Sequence, residues 1–132
     1  MKNNKGITIL IDFDGTCVKH DFPRIGKDIG SQEVLTKLVE NGHKLILFTM
    51  RSGKTLDEAV NWFKVNNIPL YGIQTNPTQK NWTASPKAYG NLIIDDTCLG
   101  IPLKYEHEFS SFPPFVDWEK VERMLINMNL IN

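Results

Sequence analysis

The chain has 132 residues, 41% of them hydrophobic and 23% charged, with a formal net charge of zero. This is the composition of one ordinary globular domain spanning 1–132, and it excludes disordered, collagen-like and membrane-spanning classes. Charge neutrality also removes the general basic field expected of a nucleic-acid-binding protein, leaving only local patches such as Lys2, Lys5, or Arg24 with Lys27, that could meet phosphates.

The N-terminal MKNNKG has no apolar stretch of the kind a signal peptide needs, and every apolar run in the chain is strand-sized, so a cytoplasmic protein is expected. ITILI at Ile7–Ile11 is continuous and rich in β-branched residues, the pattern of a parallel strand covered on both faces. DFDGT follows, and then a stretch from Cys17 to Gly30 whose Pro23, Gly26 and Gly30 predict a loop or flap. Cys17 and Cys98 form no spaced set, so neither a zinc site nor a disulfide framework is expected.

Ser31 is the expected cap of a helix carrying Val34, Leu35, Leu38 and Val39 on one side and ending at Asn41 and Gly42. LILF at Leu45–Phe48 predicts a second strand, and Thr55 with Glu58 a capping box opening a helix that buries Leu56, Val60 and Phe63. LYGI at Leu70–Ile73 is the third strand candidate. Ser85 and Pro86 read as the first positions of another helix, Leu92–Ile94 as a fourth buried strand, and Asp117 as the cap of a last helix. Strands alternating with helices predict a mostly parallel, Rossmann-like sheet in a three-layer α/β/α sandwich, with ligands at the carboxyl ends of the strands.

Three polar clusters begin where apolar strands stop: Asp12 with Asp14, Thr49 with Arg51, and Asp95 with Asp96. In extended chain Asp12 and Asp14 share one side while Phe13 points away, so two like charges are expected to need a cation or a retained proton. By the same alternation Asp95 and Asp96 should point apart, one a direct ligand and the other supporting. Lys87, in the first turn of the expected helix, would oppose the helix dipole unless it had an anionic partner. Arg51 reads either as a fork for phosphate or a substrate anion, or as a solvated surface residue.

DFDGT after an apolar strand resembles the first motif of the haloacid dehalogenase superfamily, D-x-D-x-T. Phe48 and Thr49 resemble its second motif, Lys87 its third and IIDD at Ile93–Asp96 its fourth, so the resemblance spans Ile7 to Asp96. It implies a magnesium-dependent phosphatase in which Asp12 attacks phosphorus and Asp14 acts as general acid and base. Asp12, Asp96 and the backbone carbonyl of Asp14 would bind magnesium, with Asp95 in support, while Thr49 and Lys87 would hold the phosphoryl group. The short gaps between motifs imply a capless member with an open site for a small ester or a macromolecular end, or one closed by a neighbouring subunit in a homo-oligomer. The alternative is a noncatalytic or phospho-accepting magnesium-binding regulatory module. A response-regulator receiver is disfavoured because LYGI has no Asp after it.

Overall fold

The computed structural model describes residues 6–108 and 110–132, so Lys2 and Lys5 lie outside it. In chain order the elements are β1 (Thr8–Ile11), α1 (Ser31–Glu40), β2 (Lys44–Leu47), α2 (Gly53–Val65), β3 (Gly72–Ile73), β4 (Leu92–Ile94), β5 (Leu103–Lys104), β6 (Phe115–Val116) and α3 (Trp118–Asn127). Gln79–Asn81 adds one turn of 3₁₀ helix. The first four strands form an all-parallel sheet in the order β3-β2-β1-β4, and β5 and β6 form a separate antiparallel pair. This is a Rossmann-like α/β arrangement, with β1 central as its unbroken apolar sequence requires. No helix among the described residues is long and apolar enough to cross a membrane.

Side-chain alternation along the strands divides the sheet into two unlike faces. Ile9, Ile11, Leu45, Leu47 and Ile94 point to one face, where Val34, Leu35 and Leu38 of α1, Trp62 and Phe63 of α2, and Val121 and Leu125 of α3 cover them. Phe13 continues this core, with Trp62 at 5.5 Å and Phe63 at 6.1 Å between ring centroids. Leu10 and Ile46 point the other way and are buried with Ala88 and half-buried Tyr71, while Ile93 is 44% exposed. Helices thus pack on one face, and on the other a loop around Ala88 stands where the three-layer expectation put helices.

The helix ends show where local signals compete. Ser31 is not a cap: it is buried, and its hydroxyl donates to the Cys17 carbonyl at 2.7 Å. Asp28 does the capping work instead, accepting from the Gly30 and Gln32 amides and contacting Ser31. The second helix starts at Gly53, before the expected capping box, and Thr55 donates back to the Ser52 carbonyl. Asp117 does cap α3, accepting from the Lys120 amide at 3.3 Å. At Ser85–Pro86 no helix forms. Ser85 Oγ accepts from the Lys87 amide two residues on, closing a tight turn with too little chain left before β4 for a helical run.

His43 fastens the C-terminal segment to the sheet. It is buried; its Nδ1 accepts from the Ile7 amide at 3.1 Å, so Nε2 carries the hydrogen given to the Leu130 carbonyl at 2.7 Å. His43→Ala removes both partners at once and is expected to cost about 2–3 kcal/mol. Urea denaturation of the two proteins, read as a shift in midpoint at constant slope, measures this.

Candidate functional site

Parallel pairing brings the carboxyl ends of β1, β2 and β4 to one edge. Ile11 is in register with Leu47 on one side and Ile94 on the other, and the ladder continues through Asp12 N–H to the Ile94 carbonyl and Phe48 N–H to the Ile11 carbonyl. Asp12, Phe48 and Asp95 therefore leave the sheet side by side, with Thr49 one residue further on. One carboxylate oxygen from each of Asp12, Asp95 and Asp96 lies within 4.8 Å of the others.

The expectation that Asp95 and Asp96 point apart is not met. Strand geometry ends at Ile94, and a turn closes with Cys98 N–H on the Asp95 carbonyl, so extended alternation no longer governs the pair. Asp95 is further held by the Thr97 amide and hydroxyl on its Oδ1.

Thr16 joins the two sides of the cluster. Its hydroxyl donates to Asp12 Oδ2 at 2.7 Å and accepts from the Asp96 amide at 3.0 Å. Having one proton, it only contacts Asp96 Oδ1 at 3.4 Å. The loop is braced from outside, since Trp118 Nε1 donates to the Thr16 carbonyl at 2.7 Å and the Val116 amide to the Gly15 carbonyl at 3.0 Å. Gly15 has φ of +79°, and a Cβ there would meet His20 Nε2 at 2.0 Å and Asp96 Oδ2 at 2.6 Å. Only glycine fits this turn.

Burial pushes the Asp12 carboxyl up to about 7; the Thr16 hydrogen bond opposes the rise, and the neighbouring Asp95 and Asp96 add to it. The like charges facing Asp12 are thus these two rather than Asp14. Asp14 is turned to Arg51, whose Nε and Nη2 bond its two oxygens at 2.8 and 2.7 Å. The pair at the first motif splits between two partners, and the side chain of Asp14 does not join the carboxylate cluster.

Arg51 is accordingly not a substrate fork. Its side chain is 1% exposed, and its other donors go to the carbonyls of Pro23, Arg24 and Thr55. All five N–H groups are engaged. The guanidinium also lies between the rings of Phe13 and Phe22, 5.0 and 5.1 Å from their centroids. The residue ties Asp14, the flap and the first turn of α2 together.

Thr49 sits at the end of β2 as expected, but its amide is taken by Gln74 Oε1 at 2.9 Å and its carbonyl by Gln74 Nε2 at 2.6 Å. Its hydroxyl accepts from the Arg51 amide at 3.2 Å. Gln74 was not singled out by the sequence, and its one signal is its place directly after the third strand. Lys87 is exposed and lines a cavity of about 370 Å³ with Leu10, Ile93, Trp82 and Tyr89, over the sheet face that carries no α-helix among the described residues. It forms no ion pair among the described residues. His20, from the flap, reaches Asp96 Oδ2 at 3.0 Å and is a member of the site.

A solved structure of a conserved protein from Bacteroides thetaiotaomicron is similar, with a TM-score of 0.75, 32% sequence identity, and coverage of 94% of this chain and 93% of that chain. No family model matches the chain, and no curated protein does. With that identity over nearly the whole of both chains, this chain belongs to the family of the Bacteroides conserved protein.

Proposed function

We propose that the chain is a magnesium-dependent phosphomonoester hydrolase of the haloacid dehalogenase type, capless, with Asp12 as nucleophile. The observation that carries this reading is the meeting of Asp12, Asp95 and Asp96 at the shared carboxyl edge of β1 and β4. The donor set suits a hard divalent cation, since three carboxylate oxygens converge and their mutual repulsion helps keep Asp12 protonated near neutral pH. Asp12, Asp95 and Asp96 would hold magnesium, which offsets carboxylate and phosphate charge when bound.

In the first step an Asp12 oxygen forms a bond to phosphorus as the ester P–O bond breaks, and the alcohol leaves with the bonding electrons and takes up a proton. Water then attacks phosphorus, regenerating the Asp12 carboxylate and releasing inorganic phosphate. Thr16 orients Asp12 through the 2.7 Å hydrogen bond. Asp14 is the proton carrier of this scheme, giving its proton to the leaving alcohol and taking one back from the attacking water; each of its oxygens accepts one N–H from Arg51 and keeps a second lone pair.

An aryl phosphate assayed with and without magnesium tests the reading. Asp12→Asn is expected to lower kcat by about three orders of magnitude or more, because no covalent intermediate can form. Equal turnover by wild type and variant would remove Asp12 from the chemistry. Phosphate retained on Asp12 without turnover would favour a phospho-accepting module.

A further inference from the structure

Beside the carboxylate cluster lies a cavity of about 240 Å³, with Lys19, His20 and Lys27 of the flap and Glu106, Phe112 and Phe115 in its wall. We propose that it is a leaving-group pocket, and that the substrates are small phosphate esters whose alcohol carries a planar ring and a second anionic group. This deepens the phosphatase reading and rests on it.

His20 places the cavity. The ring lines it and also bonds Asp96 Oδ2 at 3.0 Å, so one side chain separates the cavity from the carboxylates.

The charge of the cavity is built by the backbone. Val18 and Asp28 form an antiparallel bridge, and the Lys19 amide donates to the Lys27 carbonyl at 2.9 Å, so Lys19 and Lys27 face each other across a narrow hairpin. Gly26 permits the approach, since a Cβ there would meet the Lys19 carbonyl oxygen at 2.0 Å. Like charges directly opposite one another in paired strands are unfavourable unless an anion joins them.

Glu106 pairs directly with Lys19 and feels the charge of Lys27 without an ion pair to it. The Lys19 ammonium also stands 5.9 Å from the centroid of the Phe115 ring. Asp21 is drawn off by Arg24, at 3.0 and 3.3 Å. Lys27 has no ion-pair partner among the described residues and faces the same space. A carboxylate or phosphate on the substrate would be that partner.

The lining also holds apolar rings: Phe112, 63% exposed, with Pro113, and buried Phe115. A large ring left in water next to a cationic wall suits a flat, apolar ligand carrying an anion at its end.

Two esters with one ring separate these features: 4-carboxyphenyl phosphate and its neutral isostere 4-carbamoylphenyl phosphate. Wild type should prefer the carboxylate by ~10-fold or more in kcat/KM, mainly through KM, as one charge-assisted contact implies. Lys27→Gln should bring the two esters to within about twofold of each other. Phe112→Ala should raise KM for both. Magnesium-dependent hydrolysis that requires Asp12 but shows no carboxylate preference, or a preference that Lys27→Gln leaves intact, would overturn the pocket and spare the phosphatase reading. If neither ester is hydrolysed, the phosphatase reading falls. The pocket is then decided by titrating 4-carboxyphenylphosphonate, with magnesium present, against the amide resonances of the labelled protein. Shifts centred on residues 19–27 and 106–115 support it, and their absence there sinks it.

Discussion

Arg51→Met is expected to destabilise the protein by about 3–5 kcal/mol, the range for breaking a buried ion pair from one side. The cost has two sources. Asp14 would be left half-buried without its bidentate partner, and the Pro23, Arg24 and Thr55 carbonyls would lose their donor. Arg51→Lys should fall between wild type and Met, because an ammonium cannot reproduce a planar five-donor fork held between two aromatic rings. The double variant Arg51→Met with Asp14→Leu should recover only part of the loss, since it cures the stranded carboxylate and not the three carbonyls. Urea midpoints for the four proteins test this, and a single Met variant within about 1 kcal/mol of wild type would mean that the flap rearranges without cost.

The second large effect is a pH dependence of stability centred on Asp12. In the unfolded chain its carboxyl ionises near the ordinary aspartate value of 3.8, and in the fold near 7. Between these values the folded state holds one proton that the unfolded state has lost, so stability falls as pH rises through the window and is flat beyond it. At about 1.4 kcal/mol per unit, this one group can remove up to about 4 kcal/mol between pH 4 and pH 7 in the metal-free protein. Asp12→Asn should flatten that part of the profile and leave the variant more stable than wild type at pH 8. Magnesium should stabilise wild type at pH 8 far more than at pH 5, where it must displace the proton. Denaturation at a series of pH values, with and without magnesium, reads both effects. A metal-free wild type whose stability rises from pH 5 to pH 7 in parallel with Asp12→Asn would contradict the burial argument.

The sheet was legible because its strands are short unbroken apolar runs, and Leu92–Ile94 forms with the limits expected from sequence. Asp12 and Asp96 were legible too, as carboxylates at strand ends that a parallel sheet gathers at one edge. Arg51 was not, because a guanidinium in a loop can face solvent, substrate or core, and its partner lies 37 positions away. Lys87 was misplaced through Ser-Pro, a pair that opens turns as readily as helices. Asp95 and Asp96 were read with strand alternation one residue past the end of the strand. The second helical layer was inferred from strands alternating with helices, but the expected helix at Ser85–Pro86 does not form and a loop places Ala88 against Leu10 and Ile46 instead.

The pairing of β1 with β4 also sets the order in which the molecule can become competent. Ile9 meets Leu92 and Ile11 meets Ile94, partners more than eighty positions apart, whereas β1 meets β2 across fewer than forty. A chain emerging from the ribosome can form the Asp14–Arg51 clamp and the β1–β2 ladder well before Asp95 and Asp96 exist. Its Asp12–Asp95–Asp96 carboxylate cluster is completed only by the closing strand. Metal affinity in a series of stalled nascent chains would therefore mark the moment of sheet closure, because local structure can shape the flap in advance but cannot supply the missing carboxylates.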